Sequence, residues 1–327
     1  MQRIDIFLVE QGLAESREQA KRLILAGAVT VNGDSRIKPG QRVPTDAEVV
    51  VQEPQRYVSR GGFKLEKALA LFDVDVKDRV ALDVGASTGG FTDCLLQHGA
   101  KFVYAVDVGY GQLAWKLRTH PQVQSIEKMN IRHLTPALLK AAARKDSADF
   151  ISIAVIDVSF ISLRTVLPSV IKILTQQNGY QASVRFFCEK PFGCQLRGGL
   201  TESESSLTDN RQPITDNYNI IALLKPQFEA GKVHVKKGGI VPDKQVHIET
   251  IENLSVFVTE KLGATMRGLT YSPIHKNIGN IEYLLWFTVE LDTQENALEI
   301  DVQPQQTAAE VVAEAHELFR SRQPSAH

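Results

Sequence analysis

Apolar positions along this 327-residue chain change their spacing after residue 53. Before it, Ile4, Phe7 and Leu8 recur at helical intervals, and Ala20, Leu23 and Ile24 form a second stripe. Ser16 and Gln19 have the spacing of a capping box, and Gly27 stands where a helix C-cap belongs. Ala28-Val-Thr-Val31 predicts a strand, Asn32-Gly33 a turn and Val49-Val-Val51 a closing strand. Residues 1–53 therefore read as a small α+β module, followed by a linker over 54–62 that begins with the polar Pro54-Gln55.

From residue 63 to 291, apolar runs alternate with helical segments. Strands are expected at 80–84, 102–107, 151–157, 220–224, 265–271 and 281–290. Such alternation means an α/β sheet with helices on both faces. Ser272–Asn280 is short enough for a hairpin, so one strand should be antiparallel in an otherwise parallel, Rossmann-like methyltransferase sheet. A polar insertion at 175–219 interrupts the order, and at least 200–219 is expected to be mobile. In the tail, 292–327, Thr307 and Glu310 predict the cap of one helix with Val311, Ala315 and Leu318 inward, and disorder is expected from Ser321 onward.

Chemistry enters at Asp83-Val-Gly-Ala-Ser-Thr-Gly-Gly-Phe91, a glycine loop between a strand and a helix. Such loops bring backbone N–H groups close to a ligand at a helix N-terminus. The spacing Gly85, Gly89, Gly90 is not the G-x-G-x-x-G dinucleotide fingerprint, and suits a less anionic nucleotide-like ligand. The next strand ends in Asp107, 24 positions after Asp83, where an acid grips ribose hydroxyls in Rossmann-like sites. An adenosine-containing cofactor follows, S-adenosylmethionine first and NAD second. The expected cofactor set is Asp83, Gly85, Ser87, Gly89, Gly90, Phe91, Asp107, Asn130 and Asp157; Asn130 is as readily a helix cap, and Asp83 structural. Ligands bind outside the carboxyl ends of parallel strands, so Asp83, Asp107, Asp157 and Lys225 should share one rim. Glu282, opening the reversed strand, points to the same rim, and Lys64, just before the first helix of the domain, could reach it.

Net charge is −1, so the whole chain carries no electrostatic footprint, but residues 17–42 hold six Lys/Arg against two acids and residues 56–67 four against one. A basic N-terminal portion on a neutral chain points to a polyanionic partner. Three cysteines, Cys94, Cys188 and Cys194, make no disulfide framework, and the last two lack a zinc spacing; no metal is expected. No apolar h-region or membrane-length run is present, so a cytoplasmic protein without a membrane partner is expected.

Two resemblances sharpen this reading. Arg3-Ile4-Asp5, Ser16-Arg17-Glu18-Gln19-Ala20-Lys21, Gly27-Ala-Val-Thr-Val-Asn-Gly33 and Lys38-Pro39 resemble the S4 RNA-binding module, whose basic second helix and following turn contact RNA phosphates. The RNA-facing set this implies is Arg3, Arg17, Lys21, Arg22 and Lys38, joined by Arg60. Lys232, Lys236 and Lys237, in the glycine-bounded segment Gly231–Gly239, could clamp phosphates beside the site. Ser59-Arg60-Gly-Gly-Phe-Lys64-Leu65, Leu82–Thr92, Val106–Trp115, Asp157-Val-Ser-Phe-Ile-Ser-Leu163, Leu224-Lys-Pro-Gln-Phe-Glu229 and Gly279-Asn-Ile-Glu282 together resemble the TlyA family, over roughly 1–174 and 220–290. Its members join an S4 module to an FtsJ-like domain and use S-adenosylmethionine to methylate ribose 2′-hydroxyls of ribosomal RNA; some carry a hemolysin label.

That resemblance implies the catalytic set Lys64, Asp157, Lys225 and Glu282, with Lys225 activating the hydroxyl, Asp157 positioning it, and Lys64 with Glu282 in support. The partner it implies is ribosomal RNA or a ribosomal subunit. Starting at Met1 leaves almost no basic leader, a feature of members that modify a cytidine of the large subunit alone. The competing reading is a ribosome-assembly factor with a degenerate methyltransferase domain, against which stand all four catalytic positions. A pore-forming hemolysin lacks a membrane-length segment, and an S4-bearing pseudouridine synthase would need a different catalytic domain.

Overall fold

The computed structural model describes residues 1–25, 27–51, 56–142, 150–177, 217–274, 280–290 and 306–321. Most of the 175–219 insertion, Gly279 of the Gly279–Glu282 motif, Cys188 and Cys194 lie outside the described residues. The chain divides into two compact units, Met1–Arg56 and Tyr57–His327.

In the first unit, helices α1 (Ile4–Glu10) and α2 (Arg17–Leu25) accompany two antiparallel strand pairs. These are β1 (Gln2–Arg3) with β3 (Arg42–Val43) and β2 (Val29–Val31) with β4 (Val49–Val51). Ser16 accepts from the Gln19 N–H at 3.2 Å, and Gln19 reaches back to the Glu15 N–H at 2.6 Å, one residue earlier than in a standard capping box. Gly27, at φ +70°, turns the chain out of α2. The stripes of both helices meet in one core containing Ile4, Phe7, Leu8, Ala20 and Ile24.

In the second unit, α3 (Gly61–Phe72) is followed by β5 (Val80–Val84), α4 (Gly90–Gln97), β6 (Phe102–Val106), α5 (Trp115–Arg118) and β7 (Val123–Ile126). Then come α6 (Pro136–Ala142), β8 (Ile151–Ile156), α7 (Leu163–Thr175), β9 (Asn217–Leu224), α8 (Pro226–Glu229) and α9 (Lys244–Leu262). The unit closes with β10 (Thr265–Tyr271), β11 (Tyr283–Glu290) and α10 (Ala308–Ser321). Strand order is β10-β11-β9-β8-β5-β6-β7, and β11 runs antiparallel to both neighbours. The period-2 alternation of each strand feeds two cores. Leu82, Val84, Ala154 and Ile156 face α7 and α9, while Ala81, Ile153, Val155 and Leu223 face α3 and α4.

Three sequence expectations need correction. The short β7 was missed because its burial is one-sided, and only Val123 is fully buried. Asn217–Asn219, expected to be mobile, are the start of β9 and pair with β11, where Asn219 accepts from the Trp286 indole at 2.9 Å. Ser321, expected to begin a disordered end, is the last residue of α10; the cap of that helix does form, Glu310 N–H reaching Thr307 Oγ1 at 3.3 Å.

Gly268 sits at a register shift of β10, and a Cβ there would stand 2.6 Å from the Phe72 ring, which is stacked on Trp286. Gly268→Ala is expected to destabilise the protein by about 1–3 kcal/mol through overpacking. Urea unfolding measures this, and an unchanged midpoint would contradict the packing described.

Candidate active site

Strand order reverses between β5 and β8, because the chain winds outward through β6 and β7 and returns on the other side. Open sheets of this kind bind ligands in the crevice at that point. A cleft of roughly 380 Å³ lies there, walled by Val84, Gly85 and Ser87 after β5, Asp107 and Val108 after β6, and Asp157–Ile161 after β8. That volume falls within the about 300–1,000 Å³ of small-molecule pockets. Gly85 is required by the crossing: at φ +84°, a Cβ would meet the Asp157 carbonyl oxygen at 2.6 Å.

At the far wall the Asp107 carboxylate is held by two backbone donors, Ser87 N–H at 2.7 Å and Gly109 N–H at 2.6 Å. Fixed this way, its remaining lone pairs suit a pair of vicinal hydroxyls. Val108, Met129 and Ile131 add apolar surface for a flat base. Asn130 lines the cleft and caps the turn Ile131–His133, accepting from the Arg132 N–H at 3.1 Å.

Asp83 is fully buried behind this wall and takes a hydrogen bond from Thr92 Oγ1 at 2.5 Å. Its other oxygen, Oδ1, has no hydrogen-bond partner among the described residues. Burial pushes its carboxyl up to about 7, Asp157 and Asp107 adding repulsion and Thr92 opposing. These residues fit S-adenosylmethionine: a ribose-gripping acid, an apolar base slot, and an unsatisfied carboxylate oxygen close behind the strand end.

Gly89, Gly90 and Phe91 are not on the cleft wall, contrary to expectation. A Cβ on Gly89 would meet Leu117 at 2.3 Å, and one on Gly90 would meet Ser59 Oγ at 2.3 Å and the Gly62 nitrogen at 2.9 Å. Phe91 is buried in the core between α3, α4 and the sheet. Close packing of the start of α4 against the 59–62 turn accounts for Gly90 and Phe91, while Gly89 makes room for Leu113 and Leu117.

The opposite rim carries four charged side chains from four distant segments. Lys225, following β9, pairs with Asp157 Oδ1 at 2.6 Å and donates to Ser159 Oγ at 2.9 Å. Lys64 Nζ stands 2.5 Å from Glu282 Oε2 and 3.8 Å from Asp157 Oδ2. Asp157 thus bridges two lysines, one from each side. All four side chains are between 9% and 20% exposed, so the cluster is shielded yet reaches the cleft through Asp157 and Ser159. Lys64 lies in the first turn of α3 rather than before it, because the helix begins at Gly61. Ser159 was not picked out from the sequence; its signal is its place two residues beyond the strand-ending acid.

Among the basic residues read as RNA-facing, Arg3 and Arg17 both grip the wholly buried Asp5 at 3.0 Å. The Arg3 and Arg17 guanidiniums hold the Asp5 carboxyl well below the usual range, Arg3 most strongly. The two arginines are nevertheless 44% and 53% exposed. Lys21 pairs with Glu18 at 2.8 Å, and Arg22, Lys38 and Arg60 are exposed. Lys232, Lys236 and Lys237 are exposed on a turn with Gly231, Gly238 and Gly239 all at positive φ. No helix among the described residues is long and apolar enough to cross a membrane.

Fold and site together define a Rossmann-like methyltransferase joined to an S4 unit. The FtsJ-like methyltransferase family profile matches residues 57–289 and the S4 domain profile residues 2–49. This chain belongs to the FtsJ-like methyltransferase family, in the branch that carries S4 and TlyA-type sequences. It is 42% identical to "Putative rRNA methyltransferase YqxC" of Bacillus subtilis, over 98% of this chain and 96% of that one. It is 39% identical to "16S/23S rRNA (cytidine-2'-O)-methyltransferase TlyA" of Mycobacterium tuberculosis, over 89% and 91%. A solved structure, "Putative hemolysin from Streptococcus thermophilus", superposes with a TM-score of 0.61 at 38% identity, covering 98% of this chain and 97% of that one.

The raised Asp83 carboxyl has a sign that can be tested. The unfolded chain releases this proton near 3.8, whereas the native state holds it to about 7, so stability drains away as pH rises between the two. Asp83→Asn removes the titration. The melting temperature of the variant minus that of the wild type should therefore climb from about pH 4 to about pH 7; a constant difference would sink the assignment.

Proposed function

We propose that this protein transfers a methyl group from S-adenosylmethionine to a ribose 2′-hydroxyl of ribosomal RNA, on a cytidine of the large subunit. The observation that carries the reading is the pairing of Lys225 with Asp157 and Ser159 at the mouth of the cleft. The named relatives, two of them rRNA methyltransferases in their titles, support ribosomal RNA as the substrate class.

Asp107 and the slot of Val108, Met129, Asn130 and Ile131 bind the nucleoside part of the cofactor, while Gly85 and Ser87 contribute the loop beside it. A sulfonium donor supplies an electrophilic methyl group and leaves as a neutral thioether, so no general acid is needed. What remains is the acceptor, because a ribose hydroxyl is a weak acid and a poor nucleophile. The Lys225 ammonium stabilises negative charge developing on that oxygen in a shielded site, and the hydroxyl proton leaves to solvent as the oxygen–methyl bond forms. Asp157 fixes the direction of the lysine, and Lys64 with Glu282 holds the second face of Asp157. Rigid alignment supplies much of the rest.

The N-terminal unit, over residues 1–53, holds folded RNA by backbone and shape, through Lys21, Arg22, Lys38 and the outer faces of Arg3 and Arg17. The catalytic domain, over 63–291, acts on one extruded nucleotide. Arg60, Lys232, Lys236 and Lys237 contact phosphates near the mouth.

Lys225→Ala is expected to abolish methyl transfer to ribosomal subunits, measured with tritiated donor, while calorimetric binding of S-adenosylhomocysteine survives. Near-normal turnover in that variant would refute the role. Neutralising Lys232, Lys236 and Lys237 together should weaken RNA binding and flatten the plot of log affinity against log salt by up to about 2–3 units of slope. An unchanged slope removes these lysines from the interface.

A further inference from the structure

The segments that leave β8 and β9 are tied together at three successive levels. Lys225 meets Asp157 and Ser159 at 2.6 and 2.9 Å. One turn further, the Phe228 ring lies 5.1 Å from that of Phe160. At the end of α8, Glu229 Oε2 accepts from the Ser162 hydroxyl and Oε1 from the Leu163 N–H, both at 2.6 Å. Ser162 in turn caps α7 by accepting the Arg164 N–H at 3.1 Å. Glu229 therefore anchors the N-terminus of α7, where the helix dipole favours a carboxylate.

The two residues bonded to Lys225 are not equally secure. The backbone N–H of Asp157 still bonds to the Val84 carbonyl at 3.0 Å, so the sheet itself places this residue. Ser159 lies beyond the last such bond, and the next residue, Phe160, is left-handed at φ +65° with 91% of its surface exposed. A non-glycine residue holds that conformation only where its surroundings over-determine it. Burial does not do so here; the Phe228 contact and the Glu229 anchor two residues downstream hold it from either side.

We infer that Glu229 is a positioning residue, which by clamping the start of α7 holds the Ser159 hydroxyl against Lys225. Burial raises the Glu229 carboxyl above its ordinary pKa, against the pull of Ser162 and Leu163, so the contact is maintained at a cost. The inference rests on Lys225 as the activating group and extends that site to a residue outside the four-residue cluster.

The test is methyl-transfer kinetics on the full-length protein with ribosomal subunits and tritiated S-adenosylmethionine. Glu229→Ala should lower kcat by about 10–100-fold, as misplacement of a reactive group does, with KM for the subunit within about twofold. Glu229→Gln, whose amide oxygen can still accept from Leu163, should recover most of that loss; it is read alone if the alanine variant does not fold. Ser159→Ala supplies the discriminating background, because a residue acting through Ser159 loses its effect once that hydroxyl is gone. Glu229→Ala should there cost less than about threefold. Equal fold-losses in both backgrounds, or a kcat loss matching the loss of folded protein by circular dichroism, would overturn the inference. Full activity of Lys225→Ala would instead remove the reading beneath it, so the two failures are distinguishable.

Discussion

Four charges held out of water within one cluster impose the constraint on which the site depends. A shielded charge is tolerated only when paired, and removing one partner of such a pair costs about 3–5 kcal/mol. Lys64, Asp157, Lys225 and Glu282 satisfy one another in the order Glu282, Lys64, Asp157, Lys225, with signs alternating along the row. Each comes from a different element, so the pairing ties α3, the ends of β8 and β9 and the approach to β11 to one another. The antiparallel direction of β11 is what allows this. A parallel strand in that place would deliver its carboxyl end to the rim, and Glu282, at the amino end of the strand, would face away.

Close backbone approach is the second constraint, and it divides the glycines of the chain by purpose. Gly85 lets the end of β5 touch the backbone of Asp157, between the Asp107 wall of the cleft and the charged rim. Gly90 lets α4 meet the start of α3, where a Cβ would stand 2.9 Å from the Gly62 nitrogen, and Gly62 makes room for the Tyr57 ring, 2.2 Å from a Cβ there. Lys64 rides on the helix so placed. Gly62 and Gly90 thus help to seat the helix that carries Lys64.

The same economy of paired charge recurs in the N-terminal unit. Asp5, wholly buried, is held by Arg3 and Arg17, whose guanidiniums remain about half exposed. These arginines join the ends of β1 and α2 to α1 while leaving donors on the surface. In the proposed RNA-binding role, these side chains are pre-ordered by an internal ion pair, which lowers the entropy lost on binding.

Local patterns were enough for much of this protein. Helical stripes, the Ser16 and Thr307 caps, the alternating apolar runs and the acids or lysines that end them marked both units and brought Asp107, Asp157, Lys225 and Glu282 to one edge of the sheet, because strand direction and the β-period follow from the chain itself. Packing between distant segments left weaker traces. That Gly90 meets the 59–62 turn, that Phe91 belongs to a core, that β7 forms on one buried residue, and that Glu229 reaches Ser162 across 67 residues depends on which surfaces the sheet brings face to face. A side chain carries its own propensity and charge along the sequence, but its neighbours in space exist only once the strands have been ordered.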